Sequence, residues 1–216
     1  STRRRTDPTQ AKEQSERPPS IGVGSKRAVS DGRDDGFFEL EVRLPFHTTE
    51  NKAVARYLVQ LPPEYDARRR YPTIVSLHGA GTTPLQQIEW WAGASTDDGT
   101  REGQGGRHGA IVIAPAWGEK TQLDYRYSAE EHSVVLAVLR DASRQFSIDS
   151  DRVFLSGHSM GGDAAWDIGL SHPDLWAGVI IVSGKAGRYV NHYHQNARTL
   201  PFYTVSYTHL TLPTKA

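Results

Sequence analysis

From residue 37 onward the chain alternates apolar and polar positions. Residues 37–44 and 54–61 each repeat with a period of two, the pattern of strands with one buried face. Pro62-Pro63 stops the second run, and a charged turn over 66–70 follows. Thr73-Ile74-Val75-Ser76-Leu77 is more continuously apolar, as expected of a central strand covered on both faces. Residues 84–91 predict a short helix, 93–109 a glycine-rich loop, and 110–115 another buried strand. Ser128-Ala129-Glu130-Glu131 is a capping box that opens a helix running to about Phe146. Val135, Val138, Leu139, Ala142 and Phe146 fall on one stripe of it, so it should pack on the sheet. An apolar run at 153–155, a helix from Met160 that ends at His172-Pro173-Asp174, and strands at 177–182 and 200–205 complete the pattern. This alternation predicts an α/β fold, a mostly parallel sheet with helices on both faces, its first two strands paired antiparallel.

Residues 1–36 carry almost no large apolar side chains and read as a linker unable to offset its own ordering entropy; Arg3-Arg4-Arg5 within it reads as a solvated charge run. The 216 residues leave room for one domain of ordinary size. With 25 Lys and Arg against 25 Asp and Glu, the balance of charge removes the electrostatic case for nucleic acid as a partner. No apolar run approaches the length of a membrane span, so no membrane span is expected. The absence of cysteine excludes disulfides, thiolate metal sites and a cysteine nucleophile, and leaves the compartment open.

The chemistry centres on Gly157-His158-Ser159-Met160-Gly161-Gly162, which joins the 153–155 strand to the next helix. A serine between glycines at a strand-to-helix turn is a nucleophile elbow. Ser159 is the candidate nucleophile, and the Met160 amide, in the first helical turn, points at any developing anion. His78-Gly79-Ala80-Gly81, after the central strand, offers the amides of Ala80 or Gly81 as the second half of an oxyanion hole. His78, His158 and Trp117 are candidate substrate-binding residues; Trp90 and Trp91 are weighed as cleft wall against core, with core favoured. His192-Tyr193-His194 invites a metal reading but lacks a nearby third ligand, so a solvated loop is expected.

These residues resemble the α/β-hydrolase family. The resemblance rests on His78-Gly79-Ala80-Gly81, on the elbow with Asp151-Arg152-Val153-Phe154-Leu155-Ser156 before it, and on the helix after it. Ala165-Trp166-Asp167 and His172-Pro173-Asp174-Leu175-Trp176-Ala177 look like the esterase and predicted-peptidase branch, which includes relatives of polyhydroxybutyrate depolymerases and feruloyl esterases. Leu58-Val59-Gln60-Leu61-Pro62-Pro63-Glu64-Tyr65 is similar to the same branch and more distantly to prolyl oligopeptidases. The resemblance covers roughly residues 52–205. It implies a serine hydrolase acting on small or polymeric esters, or on peptides, through an acyl-enzyme and with no metal or cofactor. A non-catalytic binding module of the same fold, or a cofactor-free perhydrolase, are the alternatives; one fold hosts many chemistries.

Such a mechanism needs an acid and a histidine after the nucleophile in chain order. After Asp174 the chain has no Asp or Glu. Asp163, Asp167 and Asp174 lie on or just after the helix that follows Ser159 and should point along it, away from any histidine loop. His192 and His194 precede the strand that should bear the acid. Val205 to Thr214 read like one frame of a sequencing-library adapter, so His209 is not credited as catalytic. The expected organisation is therefore a linker over 1–36, a partial catalytic domain over 37–204 incomplete at its C-terminal edge, and a non-native tail over 205–216. The chain as written should be inactive.

Overall fold

The structure is a computed structural model that describes residues 27–28, 36–45, 54–97 and 99–206. Most of the expected 1–36 linker and all but the first two residues of the expected tail lie outside the described residues.

Eight strands form one sheet. They are β1 (Arg27–Ala28), β2 (Phe37–Arg43), β3 (Val54–Gln60), β4 (Tyr71–Leu77), β5 (Ile111–Pro115), β6 (Ile148–His158), β7 (Gly178–Val182) and β8 (Phe202–Val205). Their spatial order is β1-β2-β3-β5-β4-β6-β7-β8. β2 and β3 pair antiparallel, as expected of the first two predicted strands, and β3 also meets β5 antiparallel. From β5 through β4, β6, β7 and β8 every pairing is parallel. Val205, expected in the tail, is the last residue of β8 and pairs with Val182.

The helices are α1 (Pro84–Ala92), α2 (Gln104–Arg107), α3 (Ala129–Gln145), α4 (Met160–Ser171) and α5 (Val190–Tyr193). α1 packs on one face of the sheet, where Ile88 and Ala92 meet Val112 and Ala114. α3 and α4 pack on the other, where Val135, Val138, Ala164 and Ile168 join Ile111, Ile113, Leu155 and Val179 in the main core. The predicted stripe of α3 is buried throughout. Its capping box is present: Ser128 Oγ accepts from the Glu131 amide at 3.2 Å and Glu131 Oε2 accepts from the Ser128 amide at 2.9 Å.

Three local expectations change. The 93–109 loop contains α2 and a bridge between Ser95 and Arg101, because its glycines permit a close crossing over the end of α1. The strand before Ser159 begins at Ile148 rather than Val153: residues 149–152 are polar and carry no apolar period, yet their backbone continues the strand. His192 lies in α5 and His194 opens a 3-10 turn over His194–Arg198; both side chains are exposed.

Candidate active site

β6 ends at His158 and α4 begins at Met160, which leaves Ser159 alone at the turn. Its backbone sits at φ 54° and ψ −119°, a left-handed conformation that a residue with a Cβ adopts only under constraint. The constraint is steric. A Cβ on Gly157 would overlap the Gly161 carbonyl, and one on Gly161 would overlap the Leu77 carbonyl, so the turn closes only with glycine at both positions. The Ser159 amide donates to the Val182 carbonyl at 2.8 Å, tying the elbow to β7. The Ser159 carbonyl accepts from the Gly162 and Asp163 amides at 2.8 and 3.0 Å and so starts the helix. Met160 is the first residue of α4, so its amide has no acceptor within the helix.

The loop after β4 touches this turn. A Cβ on Gly79 would stand 2.9 Å from the His158 carbonyl oxygen and 3.2 Å from Ser159 Cβ. The Thr82 amide and hydroxyl both donate to the Gly79 carbonyl, at 3.2 and 2.9 Å, which fixes the loop around Ala80 and Gly81. Gly81 itself takes φ 69° with open space on its Cβ side.

The three candidate substrate-binding side chains separate. His158 is half-buried and stacks on Trp90, ring centroids 6.0 Å apart and planes 25° from parallel; Trp90 is 55% exposed. Trp90 is therefore surface, against the expectation of core, while Trp91 is half-buried and donates from Nε1 to Ser76 Oγ at 3.2 Å. His78 and Trp117 are buried at 5% and 3% exposure, with rings 5.6 Å apart. Desolvation pushes the His78 pKa down, and its Nδ1 lies 3.1 Å from the Gly79 carbonyl, which can only accept, so Nδ1 carries the proton. Both rings present little area to a ligand.

The aspartates on α4 take different roles. Asp163 Oδ1 accepts from the Lys185 amide at 2.6 Å, and burial pushes its carboxyl pKa up. Asp167 meets a histidine, but one on helix α3 and not on a loop after a later strand. It is 2% exposed, and its Oδ2 lies 2.9 Å from His132 Nε2 on α3 and accepts from Tyr125 OH at 2.8 Å. Burial and the Asp167 carboxylate push the Tyr125 phenol well above its ordinary range. Nothing in the sequence marks this pair, whose members are 35 residues apart and belong to two helices brought together only by the sheet. Among the described residues Ser159 Oγ has no hydrogen-bond partner, and the His132–Asp167 pair does not reach it. No group of three or more His, Asp or Glu side chains among the described residues is placed to hold a metal, and no described helix is long and apolar enough to cross a membrane. His209 lies outside the described residues.

The family model described as "Putative esterase" matches residues 51–191. Dipeptidyl-peptidase 5 of Porphyromonas gingivalis is 24% identical over 140 residues, which are 63% of this chain and 20% of that protein. Among solved structures, a thermostable esterase superposes with a TM-score of 0.58 at 22% identity, covering 79% of this chain and 46% of that one. FphF, the fluorophosphonate-binding serine hydrolase F of Staphylococcus aureus, superposes with a TM-score of 0.53 at 18% identity, covering 76% of this chain and 58% of that one. The fold is the α/β-hydrolase fold of those structures, and the chain spans about a fifth of the peptidase and about half of the esterase.

Proposed function

We propose, from the premise that this chain belongs to the esterase family matched over residues 51–191, that Ser159 is the nucleophile of a serine hydrolase cleaving carboxylic esters. The observation that carries the reading is the backbone of Ser159, held at φ 54° by two glycines that admit no side chain and flanked by the Gly79 loop. A binding module has no use for a turn this strained. Ser159 Oγ attacks the ester carbonyl; its proton passes to a base and then to the leaving alcohol as the C–O bond breaks; water hydrolyses the resulting acyl-enzyme. The amide of Met160, with that of Ala80 or Gly81, stabilises the oxyanion of each tetrahedral intermediate. The chemistry calls for no metal or cofactor. The substrate is a small or polymeric ester; a peptide is the second reading, favoured by the likeness to dipeptidyl-peptidase 5.

This chain is proposed to be inactive as it stands. Among the described residues no histidine is hydrogen-bonded to Ser159, and the sequence has no Asp or Glu after Asp174, so no base with an orienting carboxylate is assembled beside Ser159 there. Turnover of p-nitrophenyl acetate by the 216-residue chain should stay near the uncatalysed rate. Prolonged incubation with a fluorophosphonate should still give a slow adduct that peptide mass spectrometry maps to Ser159, and Ser159→Ala should abolish it. An adduct retained in Ser159→Ala would overturn the nucleophile assignment, and turnover at ordinary esterase rates would overturn the proposed inactivity.

A further inference from the structure

A cavity of about 650 Å³ lies where the parallel strands begin, at the end of the sheet opposite Ser159. Ala110, the residue before β5, and Phe146, just before β6, line it together with the turn that leaves β3 at Leu61. The volume falls in the range of small-molecule sites. The site is separate from the elbow and independent of what Ser159 does.

One wall is apolar. Leu61, Pro62 and Phe146 are buried, and Phe38 meets Phe146 with ring centroids 5.8 Å apart and planes at 50°. Among the described residues lining the cavity, Arg101 is the one cation and Glu64 the one carboxylate. Arg101 is half-buried and held from two sides. Its Nη1 donates to the Gly93 carbonyl at 2.8 Å, and its guanidinium carbon stands 5.3 Å from the centroid of the Phe37 ring. Among the described residues Nε and Nη2 of Arg101 donate to no protein acceptor. The planar fork is therefore oriented before any ligand arrives, with donors to spare. Glu64, by contrast, is exposed.

These groups select by charge and by shape. A cation meets Arg101. A wholly apolar ligand covers the remaining guanidinium N–H groups without giving them an acceptor, which is costly. A polyanion finds one cation for several charges, with Glu64 at the rim against the rest. A zwitterion gains little from its ammonium group, because Glu64 is exposed and water screens it. A monocarboxylate with an aromatic body satisfies both parts. Its carboxylate accepts from the Arg101 fork, and its ring lies on Phe38 and Phe146. We propose that the cavity at the start of the parallel strands is an ancillary binding site for an aromatic monocarboxylate, anchored by Arg101.

The test is calorimetry and saturation-transfer NMR on the full chain with four probes: 3-phenylpropanoate, 3-phenylpropanamide, L-phenylalanine and acetate. They separate the charge, the zwitterion and the apolar body. The first should bind saturably and the other three more weakly, by about fivefold or more. Arg101→Gln should weaken 3-phenylpropanoate by about tenfold, the worth of a charged hydrogen bond. Arg101→Lys, which keeps the charge and loses the fork, should fall between Arg101→Gln and wild type. Glu64→Gln removes a like charge and should bind at least as tightly as wild type, a readout that a purely structural Arg101 would not govern. A thermal melt of each variant separates lost binding from lost folding; if Arg101→Gln does not fold, the probe series and Glu64→Gln decide. The proposal is overturned by failure of 3-phenylpropanoate to saturate, by equal or tighter binding of any other probe, by wild-type affinity in folded Arg101→Gln, or by weaker binding in Glu64→Gln.

Discussion

A methyl group at Gly157 would occupy the position of the Gly161 carbonyl, which belongs to a helix anchored on β4 and β7 and has nowhere to move. Gly157→Ala should therefore cost about 3 kcal/mol or more, well above an ordinary surface substitution, and a urea midpoint would register it. His78 gives a pH signature. Burial lowers its pKa below the unfolded value of about 6.5. The unfolded chain then binds this proton at a higher pH than the folded one, so stability is complete above about pH 6.5 and falls as the pH drops through the lowered folded value. Urea midpoints measured from pH 7.5 to 5 should decline, and His78→Asn, which keeps a donor for the Gly79 carbonyl, should flatten the decline. An unchanged slope would show that His78 is not the group responsible. His172, also lowered chiefly by burial, acts in the same direction and remains in the variant.

The elements show which local signals are sufficient. α3 was legible at both ends because its start is a side-chain chemistry, Ser128 with Glu131, and its length is an apolar stripe. Ser128→Ala should cost about 1 kcal/mol, lowering the melting temperature by about 2–4 °C. Glu131 does more than cap. Buried at 6% exposure, it also accepts from Gln122 Nε2 at 2.5 Å and from the Arg126 amide at 3.2 Å. Glu131→Ala should therefore cost about 2–3 kcal/mol, since four backbone or side-chain donors lose their acceptor together. Equal losses for the two variants would show that the loop before α3 does not depend on Glu131. α2 and the first half of β6 were not legible: a four-residue helix has no period to read, and the strand at 149–152 is held by pairing rather than by apolar side chains.

At the scale of the whole molecule the two faces of the sheet are unequally covered. α4 covers β6 and β7 from one side, with Gly169 against Val179 and Trp166 stacked on Phe202 at 4.8 Å. On the other side α1 reaches β3, β4 and β5, so that among the described residues Phe154, Ile180 and Tyr203 are left without a helix above them. Tyr203 is 66% exposed on β8, which pairs only with β7 among the described strands. Parallel sheets are ordinarily buried on both faces, and an uncovered apolar face beside an open edge promotes association. Light scattering after size exclusion should find the chain self-associated, and Tyr203→Lys should shift it toward monomer. A strictly monomeric wild type would contradict this.

The sequence by itself determined the strand and helix alternation, the antiparallel first pair, and the position of Ser159, because each is written in local chemistry: a period, a cap, or two glycines around a serine. It also determined that no acid follows Asp174. Only the tertiary structure decided which side chains meet. Gly79 lies against Ser159 because β4 and β6 are neighbours in the sheet, and His132 meets Asp167 because two helices share one face of it. Burial of His78 and Trp117, and exposure of Trp90, were settled in the same way: a side chain's environment is set by elements distant in the chain, and no local pattern carries that information.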